Sequence, residues 1–172
     1  MTTLVTLEEL LAYAQTMEEE AVERYQELTD LMEVHHQKEI AQLFRTMAQI
    51  ESKHVDKVAG LAADRDLPHL APWEHQWLDA DSPESVPIGQ ERYQMSPQQA
   101  LLLVLGCEER ARDFYQSVVD SSPDPAIRQM AAEFAEEERQ HAQLLRDWLA
   151  RLPPDAGKKA GRVDLDEPLA QD

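Results

Sequence analysis

The sequence predicts an all-α fold, an antiparallel four-helix bundle with one long crossover between its second and third helices. Three observations carry that prediction. The 172 residues include only 5 glycines and show no strand-like alternation of apolar and polar residues. Helix-start signatures recur along the chain. The chain also repeats itself. Thr6 and Ser96, Leu11 and Leu101, Glu18 and Glu108, Ala21 and Ala111, and Tyr25 and Tyr115 stand 90 residues apart, while Ala48, Glu51, His54 and Val58 answer to Ala135, Glu138, His141 and Leu145 at an offset of 87. Each half is thus a helical hairpin, and the length suits one domain with a substantial core.

The elements follow in order. Thr6-x-x-Glu9 is a capping box, with Leu7, Leu10, Leu11 and Ala14 at helical spacing behind it, and this first helix runs to about Val34. His35 and His36 form a solvated turn, and a second helix spans Lys38 to Ala63. A break from Asp64 to Met95 holds Pro68, Pro72, Pro83, Pro87 and Gly89. Ser96-Pro97 opens a third helix that runs to about Val119, and Asp124-Pro125 opens a fourth that runs to about Leu152. Pro153–Asp172 has little apolar content and is expected to be a flexible tail, which leaves residues 1–152 as the bundle. A helix of about 27 residues is about 40 Å long. The connection between the second and third helices is long enough to span that distance, so the third helix is expected to start at the far end of the bundle.

Composition excludes several functions. The net charge of −18 disfavours nucleic acid and anionic membrane surfaces, because phosphate binding needs a basic stripe. One cysteine, Cys107, excludes an intrachain disulfide framework and a CxxC metal knuckle, and it reads as a packing residue. The start Met1-Thr2-Thr3-Leu4 has no basic n-region, and the longest apolar stretch, Ala100–Leu105, is far short of a membrane span. A cytoplasmic protein is expected.

With 20 glutamates and 6 histidines in 172 residues, fewer than one Glu-x-x-His is expected by chance; the chain has three, Glu33/His36, Glu51/His54 and Glu138/His141. Neighbours one and two turns away separate them. Glu51 shares its face with Phe44, Met47, Val55 and Val58, and Glu138 with Ala131, Phe134, Ala142 and Leu145. Glu33 has Gln26, Thr29 and Gln37 around it, which marks a surface pair. The same test selects Glu18, flanked by Leu11, Ala14, Ala21, Val22 and Tyr25, over Glu19 and Glu20, and it makes Glu136 solvent-facing. Glu108 is selected over Glu109 by its neighbours and by the repeat. All four lie about 18–21 Å from a helix end at 1.5 Å per residue, so they meet near mid-bundle. Four carboxylates on core faces need a counter-charge. Two divalent metals supply it, and four Glu with two His match the inward-facing di-iron or di-manganese set of helix bundles.

The pattern Glu18…Glu51-x-x-His54…Glu108…Glu138-x-x-His141 resembles the ferritin-like superfamily, and especially its rubrerythrin and bacterioferritin branches, over roughly residues 6–150. The resemblance implies a ferritin-like bundle holding two iron ions, with manganese as an alternative. It makes Glu18 and Glu108 terminal ligands on opposite metals, Glu51 and Glu138 bridging ligands, and His54 and His141 single ligands to one metal each. Tyr25 and Tyr115 match tyrosines that hydrogen-bond ligand carboxylates. The implied activity is a rubrerythrin-like di-iron oxidoreductase oxidised by hydrogen peroxide or O₂; the alternatives are an iron-binding or iron-delivery protein without turnover and a dimanganese catalase-like enzyme. A homodimer is expected. The chain departs from the family in two places. No cysteine follows Leu152 in the sequence, so no rubredoxin domain is expected here and electrons are expected from an external donor. The family's additional glutamate, one turn after the third-helix ligand, is Ala111 here. A storage cage is not expected, because Pro153-Pro154-Asp155-Ala156-Gly157 does not offer a fifth helix. In the crossover, Trp73, His75 and Trp77 either pin the loop to the bundle or a partner chain, or cover the site. Trp148 reads as core or interface.

Overall fold

The computed structural model describes residue 4 and residues 6–71, 74–75, 77, 81–84 and 94–153. It contains four helices, α1 (Leu7–Val34), α2 (Lys38–Ala62), α3 (Pro97–Ser121) and α4 (Pro125–Arg151). Each expected boundary lies within two residues of the observed one. The tail beyond Pro153 and Trp73 lie outside the described residues. No helix among the described residues is long and apolar enough to cross a membrane.

The caps explain where the helices start. Thr6 Oγ1 accepts from Glu9 N while the Glu9 carboxylate accepts from Thr6 N, both at 3.1 Å. Ser96 and Gln99 repeat this reciprocal box at 3.1 and 2.9 Å, a partner that the Ser96-Pro97 signal alone did not reveal. Asp124 Oδ1 accepts from Ala126 N at 2.7 Å. The two hairpin turns differ. After α1, His36 sits at φ 57, with Gln37 N donating to Met32 O at 2.8 Å and His36 N to Glu33 O at 3.0 Å. This wrapped C-cap normally takes glycine. After α3 the chain leaves in extended conformation at Ser122 (φ −72°, ψ 131°). The change of repeat offset lies in the helices and not in these turns: α1 has 28 residues and α3 has 25, which accounts for the shift from 90 to 87.

Two apolar clusters fix the topology. One joins Leu10, Leu11 and Ala14 at the start of α1 to Val58 near the end of α2, Phe114 and Val118 late in α3, and Ile127 and Ala131 early in α4. The other joins Leu28 and Met32 late in α1 to Ile40 and Phe44 early in α2, Ala100 and Leu101 at the start of α3, and Leu145 late in α4. Hence α1 runs parallel to α4 and antiparallel to α2 and α3. The chain leaves α2 at one end and enters α3 at the other, which is the one-crossover topology expected. Part of this crossover packs back on the core: the Trp77 ring lies 4.9 Å from Tyr13 and 5.3 Å from Phe114. Trp77 therefore pins the loop to its own bundle. Each fully buried aromatic such as Phe44 or Phe134 contributes about 1.5–3 kcal/mol by leaving water. Between the two clusters lies a belt of charged side chains.

Candidate metal centre

Mid-helix position and apolar flanks drive each carboxylate inward. Glu18, Glu51, Glu108 and Glu138 are 3%, 1%, 1% and 4% exposed. His141 is buried, and His54 is half-buried, with 16% of its side chain exposed. The six side chains form one connected set. His54 Nδ1 lies 3.3 Å from Glu51 and 3.6 Å from Glu18. His141 Nδ1 lies 3.1 Å from Glu51, 3.4 Å from Glu108 and 3.5 Å from Glu138. The two imidazoles stack with centroids 5.1 Å apart. Donor atoms of Glu51, His54 and His141 converge in one group and those of Glu108, Glu138 and His141 in a second. Glu51 faces both imidazoles, as a bridging position requires. Glu138 sits with Glu108 and His141, and Glu18 joins through His54.

The expected decoys stay outside. Glu33 pairs with Arg45 on the surface, and His36 is exposed in the turn. Glu19 and Glu136 are exposed, with Glu136 paired to Arg139 at 2.6 Å, and Glu109 pairs with Arg146. Ala111, where the family's additional glutamate is expected, is fully buried in the first apolar cluster. Cys107 is buried 3.4 Å from Arg110 Nη2.

The two tyrosines lie at equivalent places but are treated differently. Tyr25 donates its hydroxyl proton to Glu108. The Tyr115 hydroxyl is buried and has no hydrogen-bond partner among the described residues. Burial pushes both phenols well above their ordinary range; Glu108 adds most to this at Tyr25, and Glu18 at Tyr115.

Electrostatics describe a site built around a missing positive charge. Burial raises Glu18 to about 7 and drives Glu138 well above the usual carboxylate range. Burial also opposes charge on Glu51, but His141 and His54 outweigh it and hold that carboxyl at about 2. Burial lowers the pKa of both imidazoles; the facing carboxylates outweigh it, holding His54 at about 9 and His141 well above its ordinary value. Both oxygens of Glu51 and the Nδ1 atoms of His54 and His141 are buried without a hydrogen-bond partner among the described residues. Burying such atoms unpaired is costly. Oxygen donors mixed with two imidazoles suit iron or manganese, so the residues present fit the metal pair.

Two residues near this centre escaped sequence reasoning, Arg24 and Glu84. They form an ion pair at 3% and 5% exposure. Burial pushes the Glu84 carboxyl upwards, and the Arg24 guanidinium in contact with it pulls it back towards the charged form. A signal was available for Arg24, because the repeat places it opposite the apolar Phe114, 90 residues on. Glu84 lies in a loop with no periodicity to read.

Comparison with known proteins adds the family. The rubrerythrin family model matches residues 9–95, which include Glu18, Glu51 and His54 but stop short of the second hairpin. The chain is 34% identical to an uncharacterized conserved protein from Magnetospirillum magnetotacticum MS-1 of known crystal structure, covering 86% of this chain and 96% of that one with a TM-score of 0.75. No curated protein matches the chain. The structural match extends past the crossover, so the two hairpins belong to one ferritin-like unit.

Proposed function

The chain belongs to the rubrerythrin family, and from that premise we propose that it is a di-iron oxidoreductase that uses peroxide or O₂ as oxidant and an external electron donor. The observation that carries this reading is the buried convergence of donor atoms from Glu51, His54 and His141 and from Glu108, Glu138 and His141, with both Glu51 oxygens and both Nδ1 atoms lacking a hydrogen-bond partner among the described residues. Glu18, Glu51 and His54 would hold one iron and Glu108, Glu138 and His141 the other. When bound, the iron pair supplies electrons to the oxidant. The chain does the rest. Apolar clusters on both sides of the belt exclude water. Tyr25 holds Glu108 by its hydroxyl proton and fixes which carboxylate oxygen faces the centre. Glu18 and Glu138, whose pKa values are raised, hold protons that must leave as metal binds, so loading is pH-dependent.

Anaerobic stopped-flow mixing of the ferrous protein with peroxide and, separately, with O₂ tests the activity. Two iron equivalents oxidised rapidly by one of the two oxidants is the expected result and identifies the co-substrate. No oxidation by either, with two irons bound, assigns the chain to iron binding and delivery. Oxidant turnover only with manganese assigns it to the catalase-like class.

A further inference from the structure

The middle of the crossover is fastened beside the centre on the α1/α3 side. Ser82 Oγ donates to the Glu20 carboxylate, and Arg110 Nε donates to Pro83 O at 3.1 Å. Arg24 Nη1 donates to Glu84 O at 2.9 Å, and the same guanidinium pairs with the Glu84 carboxylate. Arg24 Nε has no hydrogen-bond partner among the described residues, so Glu84 provides most of the compensation for this buried cation. The Arg24 guanidinium carbon lies 5.4 Å from the Tyr25 ring centroid, and its charge acts on Tyr25, Cys107 and Glu108. The Tyr25 hydroxyl in turn holds Glu108. On the other half of the repeat, Phe114 stands where Arg24 would, and the Tyr115 hydroxyl holds nothing among the described residues.

We infer that Arg24 and Glu84 are positioning residues for the Glu108 half of the centre: the pair fixes Tyr25 and Glu108 without adding net charge, and so makes the Glu108–Glu138–His141 position rigid and distinct from the Glu18–Glu51–His54 position. The inference rests on the metal-binding reading above. The physical case is one of balance. An unpaired cation beside Glu108 would attract that carboxylate and repel an incoming metal. Glu84 cancels the charge while its backbone carbonyl and carboxylate grip both prongs of the guanidinium, a geometry that lysine cannot reproduce. Groups that orient a metal's ligands typically change affinity by about 10–100-fold when lost.

The test is an anaerobic Co²⁺ titration of the full chain, followed by visible ligand-field absorption, with thermal melting of the metal-free protein alongside. Wild type should take up two equivalents. Glu84→Gln should weaken one of them roughly tenfold or more and alter its absorption bands, leaving the other equivalent as in wild type. Arg24→Gln with Glu84→Gln removes the charge imbalance, so most of the affinity should return while the altered bands stay. Should Glu84→Gln not fold, Arg24→Lys keeps the charge and loses the two-pronged grip; near-normal affinity with altered bands for one equivalent is the expected result. Two unchanged equivalents in these variants, or equal weakening of both in step with the fall in melting temperature, would overturn the inference. A wild-type protein that never takes up a second equivalent overturns the dinuclear reading itself, and the pair's role with it.

Discussion

The Tyr25 half and the Tyr115 half of the centre descend from the same repeat, yet they are finished differently. On the Tyr25 side the hydroxyl is engaged by Glu108, an arginine lies beside the ring, and the crossover supplies a buried counter-charge. On the Tyr115 side the hydroxyl has no partner among the described residues, and the ring leads into an aromatic cluster: Phe134 at 5.2 Å, Phe114 at 5.7 Å, and Tyr13 stacked on Phe114 at 5.4 Å. A duplicated scaffold thus brings the four carboxylates and two imidazoles to one belt, while the groups behind them are free to diverge. The result is one polar and one aromatic flank around a single buried cluster.

The comparison is broken most severely through the core, which should not distinguish the halves. Phe44→Ala beside Tyr25 and Phe134→Ala beside Tyr115 should each lose about 3–5 kcal/mol in urea unfolding. A much smaller loss on one side would mean that the two clusters are not equivalent supports. Next is the metal. Excess Fe²⁺ at a hundred times its dissociation constant should stabilise wild type by about 2.7 kcal/mol for each iron bound. Glu51→Ala should abolish that gain, and Glu19→Ala should keep it; equal anaerobic melting shifts in the two variants would remove the face assignment that separates them.

The pH dependence of the metal-free protein sharpens the same point. The folded-state pKa of His54 is about 9, above its ordinary 6.5, so its contribution is complete below 6.5 and disappears as pH rises through 9. Glu18 is raised from 4.5 to about 7, so folding disfavours its charged form and the cost develops between those values. Glu51 acts oppositely and loses its contribution as pH falls from 4.5 towards 2. Metal-free melting temperature should therefore fall between pH 5 and 9, and bound metal should flatten the slope because it takes the place of the protons.

The tyrosines separate the halves directly. In the metal-free protein Tyr25→Phe removes a hydrogen bond to a carboxylate and should cost about 1.5–3 kcal/mol, whereas Tyr115→Phe removes an unpaired buried hydroxyl and should be neutral or slightly stabilising in chemical denaturation. The smallest effect concerns the two hairpin turns. His36 holds a left-handed conformation, so His36→Gly should raise stability by up to about 1 kcal/mol. Metal content should be unchanged there, as it should in Glu33→Ala with His36→Ala.

Much of the centre was legible because helical periodicity is a strong constraint. One apolar face admits one glutamate from each acidic run, which distinguished Glu18 from Glu19 and Glu138 from Glu136. The caps at Thr6, Ser96 and Asp124 were legible because a short polar side chain before an apolar run has few other uses. What stayed hidden has a common cause. Glu84 is buried by a loop whose path no local pattern dictates. The difference between Tyr25 and Tyr115 is invisible to a repeat, which predicts sameness. The turn at His36 lacks the glycine that would have announced its left-handed conformation.

The crossover covers the α1/α3 side of the belt, while His54, on α2, keeps 16% of its side chain in contact with solvent against 9% for His141. That difference has a meaning in time as well as in space. Exchange with the surroundings must pass the shallower ligand first, so the two positions should have unequal lifetimes. A chelator added in modest excess should strip the His54 position quickly and leave a half-loaded protein whose remaining ion departs only as the bundle breathes.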